Sequence, residues 1–177
     1  MEKIKKQYIE LVQDLIDNDT IAPTKTLSKK KNWICYCGDT YPTIELKGLI
    51  KNLESKNIKE IVIITFVFLE DINVRVLNDI SYEKLDNYYH NNHWETGIDY
   101  KNVILTTEKL DFICFKDSEN ECFAICGEKD LVEDAFLGRT YEKMKKVFMK
   151  SAQKQIHHKS LYEYWLKFFK YYESLSN

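Results

Sequence analysis

The feature that most constrains the fold is a pair of apolar runs on either side of a short polar tip. Residues 110–116 (LDFICFK) and 121–127 (ECFAICG) flank the tetrapeptide 117–120 (DSEN). Two such runs around a four-residue polar tip predict a β-hairpin. Pairing Lys116 with Glu121 gives apolar side chains to both faces of this hairpin, and a slip of one residue would not change that. A hairpin without a polar face is predicted to lie inside a sheet that is covered on both sides.

The rest of the chain mixes strand-like and helical patterns. The continuous apolar run 61–69 (IVIITFVFL) predicts a central strand. It follows a short strand at 33–37 and a helix that begins near Thr43, an order that predicts two adjacent parallel strands. We therefore expect one α+β domain over 1–177, with a mixed, largely antiparallel central sheet covered by helices. Its helical C-terminal part, about 129–175, should pack on the sheet.

Charge is distributed unevenly along the chain. The formal net charge is −2. Residues 70–142 nevertheless contain 17 Asp and Glu against 7 Lys and Arg, whereas residues 143–177 contain 8 Lys and 2 Glu. The sequence thus combines an acidic middle, with a balance of −10, and a basic end, with a balance of +6. Charge blocks of this kind are typical either of solvated surface or of a contact surface.

Composition also indicates the cellular compartment of the protein. All five cysteines lie in strand-like apolar runs, which predicts buried reduced thiols. The N-terminal residues show helical spacing rather than a signal peptide, and no window approaches the ~20 apolar residues of a membrane span. Arg occurs only at positions 75 and 139, against abundant Lys, which is typical of an AT-rich bacterial genome. We expect a bacterial cytoplasmic protein without a membrane partner.

No run of residues carries a recognisable catalytic or phosphate-binding motif. The chain has no Gly-x-Ser-x-Gly elbow, no phosphate-binding glycine loop and only five glycines. We therefore expect a protein that is not an enzyme and needs no cofactor. One alternative is a metal-dependent enzyme, because Asp86, His90 and His93 would share one side of a helix if that helix continued so far. The neighbouring Asn91 and Asn92 argue against that continuation.

A second alternative is nucleic-acid binding through a row of lysines. Lys143, Lys146, Lys150 and Lys154 recur at helical spacing opposite an apolar stripe. The acidic middle would repel the same polyanion, and Arg, the better reader of bases, is nearly missing. A solvated helix face is the simpler interpretation.

Contact with another protein is the interpretation that the sequence favours. The final helix contains seven aromatic residues between 162 and 172, and one packed stripe accounts for only four of them. Aromatic side chains with a polar tip are favoured in protein contacts. Acidic residues cluster around the hairpin tip and the following helix. The candidate contact residues are Asp117, Glu119, Glu121, Glu128, Asp130, Glu133, Asp134, Tyr162, Tyr164 and Tyr171.

The hairpin and the helix after it also carry a resemblance. Residues 110–115, 121–127, Leu131 and Phe136 are similar in style to short immunity proteins of bacterial polymorphic toxin systems, including those of contact-dependent growth inhibition. This resemblance covers about a quarter of the chain and includes no diagnostic motif. It implies a non-catalytic protein that binds one cognate toxin, and a basic toxin domain would suit the acidic middle.

Overall fold

The apolar runs form one central sheet. In a computed structural model of the protein, which describes residues 4–39, 43–88, 100–136 and 139–175, six strands pair side by side. The strands are β1 (Trp33–Asp39), β2 (Glu60–Phe66), β3 (Asn73–Asn78), β4 (Asn102–Thr106), β5 (Phe112–Asp117) and β6 (Cys122–Glu128). The helices are α1 (Lys6–Ile16), α2 (Thr24–Leu27), α3 (Thr43–Ser55), α4 (82–88), α5 (Lys129–Ala135), α6 (Tyr141–Lys154) and α7 (Lys159–Leu175), and a 3₁₀ turn (Leu69–Asp71) joins β2 to β3.

The strand order is β1-β6-β5-β4-β2-β3, and all five neighbouring pairs are antiparallel. The predicted α+β domain, with helices over the sheet and a helical C-terminal part, is confirmed. The adjacent parallel pair that made the predicted sheet mixed is wrong, because β6, β5 and β4 lie between β1 and β2. The physical reason is that β6 matches β1 along its whole length, from Trp33 opposite Glu128 to Asp39 opposite Cys122.

The hairpin β5–β6 has the predicted faces but a different register. Lys116 lies opposite Phe123 rather than Glu121, and Asp117 is the last paired residue of β5. The turn is therefore 118–121, with Glu121 in the left-handed region at φ 50°. Because the register differs by two residues, the paired side chains of β5 and β6 keep their predicted faces.

Each face of the sheet is covered by its own apolar core. On the first face, Phe115, Cys122 and Cys126 pack with α1, α6 and α7. On the second face, Phe112, Cys114 and Ile125 pack with α3, α4 and α5. All five cysteines are buried and none forms a disulfide, as predicted. Each fully buried Leu, Ile or Phe contributes about 1.5–3 kcal/mol through removal from water, so these two cores hold the layers together.

The two edges of the sheet differ. At the β1 edge, α6 places Met144 in one core and Phe148 in the other, so this helix covers the edge. At the other edge, β3 pairs only with β2 within the described ranges, and its side chains are exposed or half-buried. Among the described residues, no helix combines the length and apolarity needed to cross a bilayer.

Candidate protein-binding surfaces at the two ends of the sheet

One end of the sheet, named here the tip end, is formed by residues 67–71, 100–101 and 118–121. These segments meet because Phe66 of β2 pairs with Asn102 of β4. On the other side of β4, Val103 pairs with Lys116 of β5, which brings the β5–β6 turn alongside. The Ser118 N–H donates to the Asn102 side chain at 3.2 Å, and the Ser118 hydroxyl donates to the Lys101 carbonyl. The tip end is thus one hydrogen-bonded surface built from three separate segments.

Asp117 lies inside this end rather than on its surface. Its side chain is only 1% exposed. Its carboxylate accepts hydrogen bonds from the Tyr164 hydroxyl at 2.6 Å, the Thr20 hydroxyl at 3.1 Å, and the Asn120 backbone N–H and side-chain amide, both at 2.9 Å. Trp165 donates to the Asn120 carbonyl at 2.5 Å. The expectation that Asp117 is exposed on a contact surface is therefore wrong. The hydrogen bonds of its carboxylate connect the turn to α7 and to the loop after α1.

A second carboxylate orders the connection between β2 and β3. Asp71 Oδ1 accepts the backbone N–H groups of Val67 and Phe68 at 2.8 and 2.9 Å. Its other oxygen lies 3.2 Å from Lys101 Nζ. Burial raises the pKa of Asp71, but the two backbone donors and Lys101 outweigh burial, so this pKa lies below its ordinary value. The connection is held in one conformation by three charge-assisted contacts.

Large apolar side chains project from this ordered connection. Val67 is 40% exposed, Phe68 is 67% exposed and Tyr100 is 86% exposed. Phe68 and Tyr100 each lie two residues beyond the last β2–β4 pair, Phe66 with Asn102, so they extend from adjacent strands at the same end. Sequence reasoning missed Val67 and Phe68 because the run 61–69 has the pattern of a single strand, and it missed Tyr100 because the pattern between 70 and 101 is weak. The length of the run 61–69 was the available signal, because β2 ends at Phe66 and the apolar residues that follow lie beyond the end of this strand.

The exposed carboxylates of the tip end are Glu70, Glu119 and Glu121. Within the part of the chain that the structure describes, none of the three forms an ion pair. Exposed Lys154 and Lys159 flank the turn between α6 and α7, two helices that contact β1. Among the described residues, the tip end itself combines exposed carboxylates with exposed apolar side chains.

The remaining acidic candidates lie at the opposite end of the sheet. Glu128 closes β6, while Asp130 and Glu133 belong to α5, and all three are exposed. The seven residues of β6 separate them from the turn by roughly 20 Å. The predicted acidic residues thus form two groups rather than one patch. The placement of the Asp134 side chain is outside what the structure describes.

Lysines alternate with the carboxylates at this opposite end. Lys129 Nζ lies 3.9 Å from a Glu133 carboxylate oxygen, and Lys5 pairs with Glu108. An open cleft of about 820 Å³ lies here, lined by equal numbers of basic and acidic side chains. Its charged lining residues are Lys5, Lys59, Glu60, Glu108, Lys109 and Asp111. The mixed charges offer a cationic partner less net attraction than the tip end does.

The three candidate tyrosines of α7 are half-buried rather than free. Tyr162, Tyr164 and Tyr171 all pack against the first core. Burial, followed by the nearby Asp117 charge, raises the pKa of Tyr164. Burial also raises the pKa of Tyr171, to about 12. These side chains mainly close the space between α7 and the sheet, with Tyr164 supporting the turn from within.

The alternative sites are placed only in part. Asp86 lies in α4 and accepts a hydrogen bond from the Tyr82 hydroxyl at 3.4 Å, but His90 and His93 lie outside the described residues. Among the residues that are described, no group of three His, Cys, Asp or Glu is arranged to hold a metal ion. The lysine row of α6 is solvent-exposed, as its spacing predicts. Its members are Lys143, Lys146, Lys150 and Lys154.

Comparisons with protein-family models, with curated proteins and with solved structures found no significant match to this chain.

Proposed function

We propose that the protein is a non-catalytic module that binds and neutralises a basic toxin domain in the bacterial cytoplasm, in the manner of an immunity protein. The observation that carries the proposal is the tip end. It combines the exposed carboxylates of Glu70, Glu119 and Glu121 with exposed apolar side chains on an ordered scaffold. Contiguous exposed apolar surface is a feature of protein-interaction sites.

The chemistry of the proposed partner follows from the charge. A toxin that cleaves nucleic acid must attract phosphate and is therefore basic around its active site. An acidic inhibitor surface speeds encounter with such a site and keeps the polyanionic substrate away from it. The carboxylates of the tip end, which belong to the acidic middle of the sequence with its balance of −10, supply this surface.

The experiment is co-expression with the product of the gene directly upstream, first by growth and then by affinity capture of purified components. The proposal predicts that the upstream product alone arrests growth, that this protein restores growth, and that the two proteins co-purify. The absence of a complex at low salt, or growth arrest that this protein does not relieve, would overturn the proposal.

A further inference from the structure

We propose that Phe68 and Tyr100 are the anchor residues of the binding site, and that the partner offers an apolar hollow bordered by Lys or Arg side chains. This inference rests on the proposed function and assigns it to the tip end. It uses two residues that the pattern of acidic side chains does not single out.

The first observation is the solvent exposure of the two aromatic rings. Phe68 and Tyr100 are 67% and 86% exposed, although the sheet beneath them is covered on both faces. Leaving large rings in water forfeits the burial that stabilises the rest of the fold. Both rings extend from the ends of adjacent strands, whose spacing is about 4.8 Å, and Val67 adds apolar area beside them. Together they form a small apolar projection.

The second observation is that hydrogen bonds and an ion pair hold the backbone around these rings. The backbone of Phe68 is held by its N–H bond to Asp71, and Asp71 is held in turn by Lys101, the residue after Tyr100. The Ser118 hydroxyl donates to the Lys101 carbonyl and joins the turn to the same unit. A partner that covers these rings therefore loses little additional backbone entropy on binding. Buried aromatic residues on such preorganised supports are the usual anchors of protein interfaces.

The third observation is the charge of the tip end, which determines the kind of partner that can bind there. Glu70, Glu119 and Glu121 lie at the same end of the sheet as the apolar projection, and none of them is neutralised by an ion pair among the described residues. A second copy of this chain would bring the same carboxylates against them, which is unfavourable. An anionic membrane or a nucleic acid would be repelled in the same way. A cationic protein surface with an apolar hollow complements both features.

The test measures the affinity of the purified upstream gene product for Phe68→Ala, Tyr100→Ala and a matched control, Val147→Ala. Val147 is also an exposed apolar residue, 47% exposed, but it lies on α6. Each tip-end variant is expected to bind at least about tenfold more weakly, as truncation of an anchor residue does. The Val147 variant should bind like the wild type. Because the truncated rings are exposed, urea unfolding of all three variants should match the wild type.

The possible outcomes separate the inference from the proposed function. Wild-type binding that survives both tip-end substitutions but is lost on Glu133→Lys would overturn the anchor assignment and leave the binding function standing. No wild-type binding would overturn both. A dimer of this chain that Phe68→Ala dissociates, measured by light scattering, would assign the projection to self-association and would also overturn the inference.

Discussion

Asp117 is the residue on which the tip end depends most. Its buried carboxylate accepts four hydrogen bonds, from Thr20, Tyr164 and two groups of Asn120. We expect Asp117→Ala to lower the free energy of unfolding by about 2–4 kcal/mol, because several buried donors lose their acceptor. Glu119→Ala, two residues away and exposed, is the control and should change it by less than about 0.5 kcal/mol. Equal urea midpoints for these two variants would contradict the role assigned to Asp117.

Titration of buried phenols and thiols predicts a loss of stability in alkali. Burial raises the pKa of Tyr171 to about 12 and raises the pKa values of Tyr164, Cys122 and Cys126. In the unfolded chain these groups ionise near their ordinary values, about 10 for Tyr and about 8.5 for Cys. Their contribution to stability is therefore complete below those values and declines as pH rises toward the folded pKa.

The measurement is the urea midpoint between pH 7 and 11, with phenolate absorbance followed in parallel. The midpoint should be flat near neutrality, fall from about pH 9 and fall more steeply above about pH 10. Phenolate absorbance from the buried tyrosines should appear together with unfolding. A constant midpoint up to pH 11 would show that these side chains are not enclosed as described.

At the scale of elements, the contact between α3 and α5 depends on a glycine. A Cβ added to Gly48 would lie 2.6 Å from the Ala135 carbonyl oxygen and 2.8 Å from its Cα. Gly48→Ala should therefore destabilise the protein by about 1–3 kcal/mol, although alanine favours a helix interior by about 1 kcal/mol. Lys51→Ala, on the exposed side of the same helix, should be nearly neutral. A Gly48→Ala variant with a higher urea midpoint than wild type would contradict this close approach.

Local patterns predicted some elements because the information lies within them. Both faces of the hairpin followed from the alternation of side chains in β5 and β6, and a register difference of two residues left them unchanged. The buried stripe of α7, with Trp165, Phe168 and Tyr172, followed from helical spacing. Strand order did not follow, since β1 pairs with a strand far along the chain. The strand–helix–strand order alone favoured the wrong neighbour.

The sequence predicted the candidate site less well than the fold, as Asp117 and Phe68 illustrate. The sequence pattern predicts that a polar residue beside an acidic turn is exposed. Asp117 is instead buried, where its carboxylate accepts a hydrogen bond from Tyr164, which lies 47 positions away in the sequence. Phe68 reads as part of a strand, and only the end of the β2–β4 ladder shows that it projects into solvent. Both features depend on contacts between distant segments, which hydrophobic periodicity does not contain.

At the scale of the whole molecule, charge is polarised across the fold. At the tip end, the exposed carboxylates of Glu70, Glu119 and Glu121 form no ion pair with any described residue, and the exposed lysines of α6 lie on the helical layer over β1. At the opposite end of the sheet, carboxylates and lysines alternate. In the proposed complex, this distribution would orient a cationic partner toward the tip end before contact, and salt would weaken the effect because the Debye length is only about 8 Å at physiological ionic strength.

The central claim, that a basic protein binds the acidic tip end, is tested most directly by calorimetric titration of the purified upstream gene product at low salt. Glu119→Lys with Glu121→Lys should weaken binding at least about tenfold, because two attractive charges become repulsive. The matched variant at the opposite end, Glu128→Lys with Glu133→Lys, should bind within about threefold of the wild type. Unchanged binding after reversal at the tip end, together with loss of binding after reversal at the opposite end, would contradict the account.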